Sequence, residues 1–131
     1  MKKNSTLQIV LAVALLCTLF SCTYHRRHRH FADVTISESS GTYRLHADYN
    51  EDNTRKVQRY INHCIEPNGL FSSAEDYFDA NTELKDHTKF YIKASPGKLL
   101  IKINKRENDY ESYARIKNMC EGIATILKKE E

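Results

Sequence analysis

Two stretches of this chain lie over one another without a gap. Residues 34–65 and 90–121 are 56 positions apart and carry identical residues at Ile36/Ile92, Ser39/Ser95, Gly41/Gly97, Glu51/Glu107, Arg59/Arg115, Asn62/Asn118 and Cys64/Cys120. Pairs such as Leu45/Ile101, Asp52/Asn108 and Tyr60/Ile116 keep related chemistry. Self-similarity of this kind dictates a fold, because neither unit can cover its own apolar face and each needs the other.

Each unit reads in the same order. Val34 and Ile36 alternate with polar residues, as do Tyr43, Leu45 and Ala47, the pattern of half-buried strands. Ser39-Ser40-Gly41 turns the chain between them. Phe90/Ile92 and Leu99/Ile101/Ile103 repeat the pair around Ser95-Pro96-Gly97-Lys98, and Pro-Gly is a strong turn signal. A helix follows each hairpin. Asp52 or Asn53 opens the first, which places Val57, Tyr60, Ile61, Cys64 and Ile65 on one face and stops at Pro67-Asn68-Gly69. Asn108 opens the second in capping-box spacing with Glu111, and its stripe is Tyr113, Ile116, Cys120, Ile123 and Leu127. The expectation is an α+β fold of order ββαββα. It is a two-layer sandwich in which a four-stranded antiparallel sheet carries both helices on one face, the halves related by a pseudo-twofold axis.

The bridge between the units, residues 66–88, is acidic (Asp76, Asp79, Glu83, Asp86) and sticky (Leu70, Phe71, Tyr77, Phe78, Leu84). Ser73 with Asp76 would cap a short helix holding Tyr77 and Phe78. The spacing Asp79-x-Asn81-x-Glu83 is that of a calcium loop, but the glycine and the distal glutamate of that motif are missing. The bridge is expected to cover a core edge with its aromatics.

At the front of the chain Lys2 and Lys3 precede an apolar run from Leu7 to Leu16, and Leu19-Phe20-Ser21-Cys22 follows. The run is too short for an ordinary spanning helix, which needs about 20 apolar residues. This order resembles a bacterial lipoprotein signal peptide with its lipobox, Phe20 being the loose fit. The resemblance covers residues 1–22. It implies that 1–21 are removed, that Cys22 becomes the acylated first residue, and that the lipid holds the protein on a membrane. An acidic run after the cysteine, which marks surface export in some Bacteroidota, is missing. Thr23 in second place then implies the outer membrane, with the domain facing the periplasm.

Residues 22–32 form a basic tether, with Arg26, Arg27 and Arg29 between His25, His28 and His30. Next to an acyl anchor it would lie along anionic headgroups. The three histidines are weak metal candidates, because the arginines oppose a dication and no carboxylate or cysteine completes the set. Residues 33–131 make one domain, with 15 Lys and Arg against 17 Asp and Glu over 31–131. That balance argues against nucleic acid as a partner.

Of the four cysteines, Cys17 leaves with the signal and Cys22 carries lipid. Cys64 and Cys120 occupy matching positions on matching helices in an oxidising compartment. Equivalent residues near a twofold touch, which predicts a Cys64–Cys120 disulfide; the alternative is two separate buried thiols.

If the helices cover one face, strand parity leaves Arg44, His46, Tyr91, Lys93, Leu100 and Lys102 on the other, together with Thr35, Ser37 and Asp48. Arg44, Lys93 and Lys102 make it positive around Tyr91 and Leu100, a candidate recognition face, and an edge strand could accept a partner strand. No nucleophile elbow, HExxH or phosphate loop occurs. The expected role is a non-enzymatic binding or adaptor module on the envelope, without cofactor and with an envelope protein as partner. The alternative is a metal or anionic-ligand binder acting through the His-rich tether or the open face.

Overall fold

The computed structural model describes residues 32–129. The expected signal segment, Cys22 and His25, His28 and His30 lie outside the described residues. The elements are β1 (Asp33–Glu38), β2 (Thr42–Asp48), α1 (Thr54–Cys64), β3 (Phe78–Glu83), β4 (Lys89–Ser95), β5 (Lys98–Asn104) and α2 (Tyr110–Lys128). All strands pair antiparallel in one sheet of order β1-β2-β5-β4-β3. The class is therefore α+β with two helices, as expected.

The repeat holds element by element. β2 and β5 have the same bounds 56 residues apart, and β1 with β4 and α1 with α2 begin 56 residues apart. Ile36 pairs with Leu45 in the first hairpin, and Ile92 with Ile101 in the second. The two units meet through β2 and β5, where Leu45 stands opposite its own counterpart Ile101. A register centred on equivalent residues places a pseudo-twofold at that pair.

Among the described residues the sheet has five strands, not four. The fifth, β3, lies in the bridge and pairs only with β4. Its sequence FDANTE is rich in Asp, Asn and Ala, which are depleted in strands, so propensity hid it. The spacing that suggested a calcium loop is the two-residue period of this strand. Asp79, Asn81 and Glu83 are exposed, while Phe78, Ala80 and Thr82 are half-buried. The short helix expected at Ser73 is a turn, because the Asp76 carboxylate accepts from the backbone N–H groups of Ser72 (2.6 Å) and Ser73 (2.9 Å). Asn62 pins the chain after α1. Its Oδ1 accepts from the N–H of Leu70 and Phe71, and its Nδ2 donates to the Phe71 carbonyl, which keeps Phe71 buried.

One core fills the space between sheet and helices. Tyr43, Leu45 and Ala47 of β2 and Leu99, Ile101 and Ile103 of β5 meet Val57, Ile61 and Ile65 from the first helical segment and Ile116, Met119, Cys120, Ile123 and Leu127 of α2. Each large side chain among them contributes about 1.5–3 kcal/mol through burial. The cap of α2 is Asp109 rather than Asn108, its side chain accepting from the Ser112 N–H at 2.7 Å. Gly122 lets the helices approach, because a Cβ there would overlap the Tyr60 ring and hydroxyl.

The expected Cys64–Cys120 bond is not formed, and both are free thiols. Both act on the Tyr60 hydroxyl, and Cys64 helps raise the Cys120 thiol. Cys120 faces the core with no exposure. Cys64 is half-buried and shares a hydrogen bond with the Tyr60 hydroxyl. Burial raises both thiols, Cys120 to about 12, so neither is a nucleophile near neutral pH.

Candidate functional site

The face of the sheet opposite the helices carries the residues of the other strand parity. One row runs Ser37, Arg44, Lys102, Tyr91, Asn81 across all five strands. The next runs Thr35, His46, Leu100, Lys93, Asp79. All six residues of the expected recognition face therefore lie on it, in two adjacent rows.

The missed strand changes the charge of that face. Asp79 of β3 accepts from the Tyr91 hydroxyl at 2.8 Å and the Tyr77 hydroxyl at 3.2 Å, and pairs with Lys93 Nζ at 3.0 Å. The Tyr91 bond first, then Lys93, holds its carboxyl below the ordinary range. Lys93 and Tyr91 are thus committed within the sheet. His46 stands 3.6 Å from Asp48, whose other oxygen takes Lys98 at 2.6 Å.

Arg44 and Lys102 remain. They are directly opposite across β2 and β5. In that ladder the odd positions of β2 carry the hydrogen bonds, as the flanking bonds Tyr49 N–H to Gly97 O and Lys105 N–H to Gly41 O require. Arg44 and Lys102 therefore form a non-hydrogen-bonded pair, the kind with the closer side chains. No carboxylate pairs with either among the described residues, and Lys102 sits over the Tyr91 ring at 5.5 Å. Like charges directly opposite one another destabilise a sheet.

The cations line two recesses that share Thr42 and Lys102. The smaller, about 320 Å³, adds Ser37, Glu38, Ser39 and Arg44; the larger, about 940 Å³, continues past Tyr91 and Asn104 to Asn81 and also takes in Glu83, Lys89 and Glu107. The larger one exists because β4 and β5 part below the Tyr91–Lys102 pair, whereas the first hairpin stays paired to Asp33–Asp48. The Asn108 amide bridges the gap. Its Oδ1 accepts from Lys89 N–H at 2.7 Å, and its Nδ2 donates to the carbonyls of Lys89 and Asn104.

A second polar group escaped the sequence reading. Glu38 accepts from Lys105 at 2.7 Å, the Tyr113 hydroxyl at 2.5 Å and Lys117 at 3.1 Å, which hold its carboxyl down at about 2. Lys105 and Lys117 also lie over the rings of Tyr113 and Tyr43. At the same offset the equivalent positions hold Ala94, Leu99, Tyr49, Val57 and Ile61 where this cluster has Glu38, Tyr43, Lys105, Tyr113 and Lys117, and all five are core residues. The repeat alignment itself was the signal that would have found it.

Among the described residues no three His, Cys, Asp or Glu side chains converge as metal ligands, and no helix is long and apolar enough to cross a membrane. No protein-family model, no curated protein and no solved structure matches the chain.

Proposed function

We propose that this chain is an envelope lipoprotein, held by acylated Cys22, whose domain is a non-enzymatic binding module for an anionic partner. The lipobox-like run ending at Cys22 supports the anchor. The Arg44–Lys102 pair, which no carboxylate among the described residues engages although Glu38, Glu83 and Glu107 line the neighbouring recesses, supports the binding role. Two opposed cations cost the sheet stability, and an incoming carboxylate or phosphate would relieve the repulsion. An envelope protein segment bearing acids fits a surface that spans five strands. The membrane places the module, and the tether gives it reach.

The experiment is photocrosslinking in native membranes from a benzoylphenylalanine in place of Leu100, which lies between His46 and Lys93. One defined protein product, lost when Arg44→Glu or Lys102→Glu is added, is the expected result. Products unaffected by either charge reversal would refute the binding role. Loss of membrane retention should follow Cys22→Ala, and its absence would refute the anchor.

A further inference from the structure

The pseudo-twofold leaves one position unfilled. It exchanges β1 with β4 and β2 with β5, but β3 beside β4 has no counterpart beside β1. Among the described residues the outer side of β1 is unpaired, and Ile36 at its centre is 41% exposed.

The hydrogen-bond parity of that edge is fixed. Ser39 N–H donates to Thr42 O at 2.8 Å, so the odd residues of β1 bond to β2, and Val34, Ile36 and Glu38 point their backbone groups outward. The equivalent residues of β4 are Phe90, Ile92 and Ala94, and these pair with Thr82, Ala80 and Phe78 of β3. The bond Leu84 N–H to Thr88 O continues the same parity. Whatever lies beside β1 must therefore present its own outward groups to Val34 and Ile36.

We propose that the occupant is β1 of a second copy, paired antiparallel about a twofold at Thr35. The parity permits this register: Val34 faces the partner's Ile36, both with outward backbone groups. Thr35 then meets Thr35 on the open face, and Asp33 meets Ser37. No like charges oppose one another, the exposed Ile36 is covered, and Thr–Thr is a favourable cross-strand pair. The strand carries no lysine, proline or bulge, and its two acids, Asp33 and Glu38, face Ser37 and Ala32 of the second copy in this register. The opposite edge, β3, carries Asp79 and Glu83, so a head-to-tail chain of copies is disfavoured and the isologous pair closes. Two open faces, each with its Arg44–Lys102 pair, then join in one continuous sheet.

Full-length Thr35→Cys protein, oxidised in native membranes, should give a covalent dimer, because residues facing each other across an antiparallel pair lie within disulfide reach. Ser37→Cys should not, since in this register it faces Asp33. Adding Ile36→Pro to Thr35→Cys should lower the dimer about tenfold or more, because proline removes an outward N–H that the monomer does not use. Equal crosslinking at both cysteines, or none at Thr35→Cys, overturns the proposal. So does a Thr35→Cys adduct to a different protein, which would assign the edge to another chain. Unchanged circular dichroism of each variant, read alongside, separates loss of pairing from loss of fold.

Discussion

Replacing Lys102 by Glu turns the opposed cations at the centre of the open face into an ion pair with Arg44. The side chains leave β2 and β5 from directly opposite positions. At a charge separation of about 6 Å across the wet face, in a dielectric of about 40–80, one such interaction is about 0.7–1.4 kcal/mol before screening. Physiological salt, with a Debye length of about 8 Å, roughly halves it. The reversal removes the repulsion and adds the attraction, about 0.6–1.4 kcal/mol together. Losing the Lys102–Tyr91 ring contact subtracts about 0.5 kcal/mol. The net expectation is a gain of about 0.5 kcal/mol, or about 2–4 °C in Tm for a domain of this size. Thermal unfolding by circular dichroism reads it directly. The gain should shrink in 1 M salt and vanish in an Arg44→Gln background, and the Leu100 crosslink should be lost in the same variant. A fall in Tm at low salt, or a gain indifferent to salt, would refute the view that binding charge is kept here against the stability of the sheet.

Gly122→Ala forces the Tyr60 ring out from between the helices. A loss of about 1–3 kcal/mol in urea unfolding is expected. In a Tyr60→Leu background the same change should turn neutral or favourable, because alanine is the better helix former. Glu38 has a folded value of about 2 against an ordinary 4.5, so its contribution is complete above about pH 4.5 and disappears as pH falls toward 2. Urea midpoints measured over that window should fall less steeply for Glu38→Gln than for the native protein, and equal slopes would remove the cluster from the account of acid stability.

The two hairpins and both helices were legible because their signals are local. Alternation at Tyr43, Leu45 and Ala47, the Pro96-Gly97 turn and the i, i+3, i+4 stripe on each helix all report on residues a few positions apart. All six recognition-face residues lie on strands whose parity that alternation fixes, Leu100 through its neighbours Leu99 and Ile101. β3 was not legible. Its strand state comes from β4 beside it, and nothing in FDANTE favours it intrinsically. With β3 missing, Asp79 could not be set against Lys93 and Tyr91, so the face read as more positive than it is. The thiols show the same limit. Their equivalence was visible, but the Tyr60 hydroxyl bonded to Cys64 was not.

By itself the sequence determined a doubled unit, its hairpins and helices, and the side of each strand that is apolar, because repetition and periodicity are properties of the chain. Only the tertiary structure decided the fifth strand, the pairing of Leu45 with Ile101, the cation pair that no carboxylate engages among the described residues, and the side of the pseudo-twofold on which Glu38 and its lysines replace core. Those depend on which distant residues are brought face to face, and an interaction energy belongs to the pair rather than to either residue in the chain.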